Sequence, residues 1–324
     1  MDYLIREGIV SDMTPVLELI NELAVIRNQE EKNTITIYDL IRDGFSIRPK
    51  FKIFVAEVNG SVVGFNLFIK SFSVNGASLI LEDVFVTKKH KKSGIGLALF
   101  SKFIAYGKEN NLNLNHLEWG ILERFENLIK MYEQIGAEVV KDMFVYSMNE
   151  TVIYNALEQK PVISKDSPYK DVIIREGTLN DMSRILVLIK ELAVHKNNIC
   201  DIDVYDLIDK GSSKQPLFST FLLEINNNVV GMLLFFDAYD TFTGKAIIIE
   251  DFYLQKEYRG FGYGKLMQYK LFEYAKSNKY KRISQAVYNF DKVAIKRSVE
   301  FGAIKNEELK VLEFNNEALK KFTN

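Results

Sequence analysis

The sequence has a single cysteine, Cys200, so neither a disulfide framework nor a cysteine-based metal site is open to it. Its three histidines, His90, His116 and His195, lie far apart, which argues against a zinc cluster. Neither sign of charge dominates: 42 Lys and Arg face 43 Asp and Glu, a formal net charge of −1. Phosphate-rich partners demand a cationic excess, so nucleic acid and a polybasic membrane contact are not expected as partners. No apolar run approaches membrane-spanning length. The opening stretch MDYLIREG mixes acidic and basic residues without an apolar core and does not read as a signal peptide. A soluble protein of a reducing compartment, the cytoplasm, is the expectation.

What is present is a chain of 324 residues, 47% of them apolar, enough for two domains with real cores. The halves repeat one another. Ile5-Arg6-Glu7-Gly8 recurs as Ile174-Arg175-Glu176-Gly177, and Glu22-Leu23-Ala24-Val25 as Glu191-Leu192-Ala193-Val194, each 169 residues on. Tyr38-Asp39-Leu40-Ile41 and Val62-Val63-Gly64 return 167 residues on, Glu82-Asp83 as Glu250-Asp251 after 168, and Gly136-Ala137 as Gly302-Ala303 after 166. So small a drift places the few insertions in loops. The division is residues 1–159, a linker over 160–170 with two prolines and scattered charge, and residues 171–324.

In each copy the most distinctive stretch joins a strand to a helix through glycines. In the second copy it reads Glu250 to Leu266, with Arg259-Gly260-Phe261-Gly262-Tyr263-Gly264 at its centre; in the first it reads Leu81 to Leu99, with Lys91-Lys92-Ser93-Gly94-Ile95-Gly96. Glycines let backbone approach a phosphate, and the free N–H groups and dipole of the following helix face the anion. Arg259 adds a fixed cation, whereas Lys91 supplies charge as a mobile point. Lys92 is unstrained in helical or extended backbone and strained if φ must be positive.

The coarse order per copy is β-α-α-β-β-β-α-β-α-β. In the first copy strands are expected at Leu4 to Arg6, Phe51 to Val58, Val62 to Phe72, Ser78 to Val86, Leu114 to Trp119 and Ala137 to Ser147. Helices are expected after a cap near Ser11-Asp12, then at Ile37 to Asp43, from Gly96 to Asn110, and at Phe125 to Ile135. Asn59-Gly60 reads as a hairpin turn. A closing helix spans Asn149 to Gln159. The fold class is α/β: two mixed sheets, each flanked by helices on both faces.

Arg6 on the first strand, ELA on the first helix, Asp43-Gly44-Phe45 after the second, Leu-Glu-Asp followed by R-G-x-G-x-G, and a late tyrosine before Gly-Ala together resemble the GNAT acetyltransferases. Within them the pattern looks most like the diamine (spermidine/spermine) and thialysine N-acetyltransferases. The resemblance covers nearly all of both halves. It implies two tandem domains, each a sheet splayed at its middle to admit acetyl-CoA as cosubstrate. By that likeness the pyrophosphate lies on Lys91, Lys92, Ser93, Gly94, Ile95 and Gly96 in the first copy and on Arg259 to Gly264 in the second. The pantetheine arm pairs with Val84 to Val86 and with Phe252 to Leu254. Family members usually dimerise, so the fused copies suggest a monomeric pseudo-dimer, with a homodimer as the other possibility.

Acetyl transfer to an amine poses two proton problems. An alkylammonium has a pKa of ~10.4, so only about one molecule in 10³ is a free amine at neutral pH, and removing the proton costs roughly 4–5 kcal/mol. Glu82 is the candidate base or amine-orienting group, with Asp83, Glu250 and Asp251 as substrate-binding carboxylates. The departing thiolate needs a proton donor; Tyr132, four residues before Gly136, stands where the family carries its general acid. The same count before Gly302 gives Ser298, a far poorer donor, so catalysis is expected mainly in the first copy. The asparagine the family carries shortly before the tyrosine is replaced by Phe125, and by Asp291 in the second copy. Where diamine enzymes carry an aromatic and an acidic residue after ELA, this chain has Ile26-Arg27 and His195-Lys196. Arg27 reads equally as a holder of a substrate carboxylate or as a solvated helix end. The expected substrate is a small primary amine, a polyamine or diamine by the resemblance, with a lysine-like amine bearing a carboxylate fitting these departures equally well. A CoA-binding sensor without turnover and a protein-lysine acetyltransferase stand as alternatives.

Overall fold

The computed structural model describes residues 2–114 and 117–314. His116 lies outside them, as do two positions of the strand expected at 114–119. The first copy runs β1 (Leu4–Glu7), α1 (Met13–Ile26), α2 (Ile37–Gly44), β2 (Lys52–Val58), β3 (Ser61–Ser73), β4 (Gly76–Val86), α3 (Ile95–Glu109), β5 (Leu117–Leu122), α4 (Glu126–Gln134), β6 (Ala137–Val139), β7 (Met143–Asn149) and α5 (Glu150–Ala156). The second runs β8 (Val172–Glu176), α6 (Met182–His195), α7 (Val204–Gly211), β9 (Ser219–Ile225), β10 (Asn228–Asp240), β11 (Gly244–Leu254), α8 (Tyr263–Ser277), β12 (Arg282–Tyr288), α9 (Lys292–Glu300), β13 (Ile304–Lys305) and β14 (Leu309–Phe314).

Local chemistry sets the element starts. Thr36 opens α2 and Asp203 opens α7 with reciprocal capping boxes, Asp39 and Asp206 returning the bond. The Asn59-Gly60 turn has φ of 50° and 79°, the left-handed pair a tight hairpin needs. The first strand of each copy is braced identically: Arg6 clamps Asp12 and Glu57, and Arg175 clamps Asp181 and Glu224.

Among the described residues there are two seven-stranded mixed sheets, ordered β1-β2-β3-β4-β5-β14-β6 and β13-β7-β12-β11-β10-β9-β8. Each therefore contains one strand of the other copy. The single strand expected over 137–147 is in fact two. Asp142, at φ 58°, turns the chain between them, and β7 crosses to lie between β13 and β12. In return β14 lies between β5 and β6. The exchanged strands bury their alternate side chains in the host sheet's core: Tyr146 and Met148 with the second copy, Leu312 and Phe314 with the first.

Three cores follow. One lies under α3 and α4, one under α5, α8 and α9, and the largest is shared, formed by α1, α2, α6 and α7 against the facing sides of both sheets. Rings meet across the seam: Phe72 stacks on Phe218 with centroids 4.6 Å apart, and Phe51 packs on Tyr239 at 4.4 Å. Each copy's hairpin tip also reaches into the other. Phe242 C=O accepts both Thr34 N–H and Ile35 N–H at 2.9 Å, and Val74 C=O accepts Asp201 N–H at 3.0 Å.

Candidate active site

Both sheets come apart where the resemblance places the carrier. Among the described residues, strands β4 and β5 pair in parallel only at Ile80–Glu118 and Leu81–Trp119, and β4 then continues to Val86 paired with β3 alone. Strands β11 and β12 pair at three positions before parting. At the parting point each central strand carries a bulge, with Glu82 and Glu250 as the extra residues: Leu67 faces Asp83 and Phe68 faces Leu81, while Leu234 faces Asp251 and Phe235 faces Ile249. A bulge re-aims one side chain without breaking the ladder elsewhere.

The glycine loops follow. Gly94 and Gly262 cap α3 and α8 at φ 85° and 91°, and Gly260 has φ 90°. Lys92, in place of the equivalent glycine, is held at φ 65°, a left-handed conformation costing on the order of 1 kcal/mol for a residue with a Cβ. Ser93 Oγ donates to His90 C=O at 2.6 Å, and His90 Nδ1 lies 3.0 Å from Thr87 Oγ1, so side chains shape the loop where glycine is missing. The backbone N–H groups of 92–96 meet no acceptor among the described residues, which fits a diphosphate.

Between the two sheets lies a cavity of about 670 Å³ lined from both copies. Glu82, Glu118, Glu250, Asp251 and Glu313 line it, with Arg27, Lys196, Asp240 and Arg282. Its three cations are already paired: Arg27 with buried Asp83, Lys196 with Asp251 at 3.0 Å, and Arg282 with Asp240. Glu82, Glu118, Glu250 and Glu313 have no hydrogen-bond or ion-pair partner among the described residues. Burial pushes the Glu82 carboxyl up to about 8, with Arg282 opposing the rise and Asp240 and Asp83 adding to it. Burial and then repulsion from Glu313 push Glu118 up to about 7. Glu118 on β5 and Glu313 on β14 sit directly opposite each other, and Glu138 of β6 faces Glu313 from the other side. Burial, then Asp251 and Glu118, raise Glu250.

The expected site residues thus separate into groups. Glu82, Arg27, Glu250 and Asp251 share the cavity. Asp83 is buried and bound to Arg27, so Arg27 presents no free guanidinium to a substrate carboxylate. Tyr132 is on α4, packed against Trp119 (5.0 Å between centroids) and Phe100 (5.5 Å) on the helix side of the splay, not on the cavity wall. Burial, and after it the nearness of Asp83, raise its pKa above the ordinary phenol range. Ser298 is buried and commits its hydroxyl to Ala294 C=O at 2.9 Å. Glu118, Glu313, Asp240 and Arg282 were not singled out from the sequence. Their only signal was a charged residue alternating with buried ones, as in Leu117-Glu118-Trp119, which reads ordinarily as a solvent face.

The acetyltransferase (GNAT) family model matches residues 17–137 and again 187–302. The chain belongs to the GNAT acetyltransferase family. As a GNAT protein it is similar to the human spermidine/spermine N(1)-acetyltransferase-like protein 1, 30% identical over 158 residues, 45% of this chain and 23% of that protein. It is also similar to the thialysine N-epsilon-acetyltransferase of Sus scrofa, 30% identical over 142 residues, 41% of this chain and 84% of that one. Each match is about the length of one copy. Over the whole chain the fold matches a GCN5-related N-acetyltransferase from Sphaerobacter thermophilus (TM-score 0.55, 13% identity, 96% of this chain and 94% of that one). A tandem GNAT protein of the clavulanic acid biosynthesis pathway matches equally well (TM-score 0.55, 11% identity, 96% and 97%). The tandem GNAT architecture therefore has solved precedents. Among the described residues, no helix is long and apolar enough to cross a membrane.

Proposed function

We propose that this GNAT protein transfers an acetyl group from acetyl-CoA to a primary amine of a small cationic molecule, and that the chemistry belongs to the first copy. The observation that carries the reading is the place of Glu82: an unpartnered carboxyl on a bulge, at the point where β4 and β5 part, opening onto the cavity between the sheets. The carrier supplies an activated acetyl thioester. Everything else is done by the chain.

The N–H groups of 92–96 and the start of α3 hold the diphosphate, with Lys91 and Lys92 adding charge. Val84 to Val86, no longer paired to β5, offer backbone to the arm. Glu82 orients the incoming ammonium and takes its proton. An ammonium beside it favours the carboxylate, so the substrate itself pulls the raised pKa of Glu82 down towards working pH. Tyr132 is fully protonated at any working pH and stands on the helix side of the splay as hydrogen-bond donor to the departing sulfur. In the second copy Ser298 cannot replace it, because its hydrogen already serves the backbone of α9.

The cavity's charge favours a polyamine or diamine over an amino-acid-like amine. Its three cations are committed to Asp83, Asp251 and Asp240, and its unpartnered side chains are carboxylates. A second ammonium favours the ionised form of these raised carboxyls and gains from it, whereas a substrate carboxylate finds no uncommitted cation. Release of free thiol from acetyl-CoA, measured against a panel of diamines, monoamines and amino acids, tests the reading. Turnover with diamines that falls about 10²-fold or more in Tyr132→Phe is expected. No thiol release with any amine overturns it in favour of a CoA-binding sensor.

A further inference from the structure

We infer that the second copy is built closed to the acyl carrier, so that each chain holds one carrier, in the first copy. The inference rests on the function proposed above. Three features of the second copy stand across the route of the carrier and have no counterpart among the described residues of the first.

The first is in the splay itself. Past Ile248 and Ser284, strands β11 and β12 part, and Arg297 of α9 reaches into the gap. Its guanidinium lies 4.1 Å from the ring centre of Phe252 on β11, and its Nη2 donates to Gln285 Oε1 on β12 at 2.9 Å. A cation stacked on one strand and bonded to the other bridges the space an extended arm needs. Desolvation lowers its pKa to about 10, so it is still charged at neutral pH. The equivalent position in the first copy, 166 residues earlier, is Met131, which is 39% exposed. Trp119 and Tyr132 stand there in place of Gln285 and Ser298.

The second is Arg259, the cation that makes the second loop look the better phosphate site in sequence. Its Nε donates to Leu254 C=O at 2.7 Å, and its guanidinium lies over Tyr253 at 5.6 Å. It is committed to the strand end whose carbonyl an amide of the arm would use.

The third is the linker. After α5 it crosses the second glycine loop. Ser164 N–H donates to Phe261 C=O at 2.9 Å, and Ser167 Oγ bonds Tyr263 Oη. Tyr169 packs on Tyr258 at 5.0 Å and edge-on to Phe261 at 6.1 Å. The Val162 carbonyl oxygen sits 3.0 Å from the point a Cβ on Gly262 would occupy. At Gly94 the nearest atom to that point is Tyr3 Oη, at 3.7 Å. A strap with its own carbonyl oxygen against the loop leaves an anion a poorer seat.

The second copy then serves the first: it lends β14 to its sheet and closes Arg27 and Asp83 under Phe242 and Thr241. Calorimetric titration of the full chain with acetyl-CoA tests this. One equivalent is expected, lost in Gly94→Val; in parallel, the emission of Trp119, the chain's one tryptophan, shifts and saturates at the same equivalent. The Trp119 signal in the unmutated chain keeps the test valid if Gly94→Val folds poorly. In a chain carrying Ser164→Pro, Tyr169→Ala and Arg297→Gln the stoichiometry rises towards two. Two equivalents in the unmutated chain, or one that survives Gly94→Val and leaves Trp119 unperturbed, overturns the inference. Binding of none overturns the proposed function, and the inference with it.

Discussion

Replacing Glu82 by glutamine should make the protein more stable above neutral pH while removing the group proposed to take the amine proton. In the fold the Glu82 carboxyl is pushed from 4.5 up to about 8, chiefly by burial. The folded chain therefore keeps a proton that the unfolded chain releases above about pH 4.5. Folding loses stability as pH climbs from there to about 8, and the loss then levels off. At ~1.4 kcal/mol per pKa unit the upper bound is ~5 kcal/mol, and water in the cavity reduces the expected effect to about 2–3 kcal/mol. A glutamine side chain is isosteric with the protonated acid, so the two proteins should match near pH 5. The variant should be more stable by about 2–3 kcal/mol at pH 8.5. Urea denaturation across pH 5 to 8.5 reads this directly. Parallel curves, or a variant less stable at pH 8.5, would refute the placement of an unpartnered, desolvated carboxyl at the bulge. A buried carboxyl that weakens the fold and is kept on the wall of a cavity is the usual signature of function taking precedence over stability.

Turnover should follow the same group: kcat/KM should rise with pH through about 8 as Glu82 ionises, and the midpoint in kcat should lie lower, because bound ammonium favours the carboxylate. That limb should vanish in Glu82→Gln. Arg27→Met should cost about 3–5 kcal/mol by denaturation, since it strands Asp83 as an unpaired buried charge, and Asp83→Asn added to it should recover most of the loss. Leu312→Ala, at a fully buried position of the exchanged strand β14, should cost about 2–5 kcal/mol. Calorimetry of that variant should show both copies unfolding in one shifted transition, because each sheet needs the other copy's strand; two separate transitions would contradict the exchange.

Much of this was legible in the chain, for reasons that differ by residue. The repeat, the glycine loops and the central Leu-Glu-Asp strand are local patterns, and local patterns survive in one dimension. Glu82 could be placed because the strand end and the loop after it were both readable. The strand exchange could not, since nothing in Ala137 to Ser147 says which sheet Met143–Asn149 will join; the break at Asp142 and the place of β7 between β13 and β12 are seen only in the fold. Glu118 and Glu313 alternate with buried neighbours and look solvated in sequence, yet they line a cavity between the two sheets, where burial raises both carboxyls. Arg259 carries a detail the sequence does not show: an arginine before glycines reads as a phosphate ligand, and here its Nε donates to Leu254 C=O.

The central claim is that the thioester carrier enters where β4 leaves β5. A crystal structure of the chain grown with CoA measures it most directly. The account predicts density for the diphosphate on the N–H groups of 92–96 and for the arm along Val84 to Val86, with its sulfur between Glu82 and Tyr132. A carrier seated anywhere else, or β4 and β5 zipped together beyond Leu81, would contradict it.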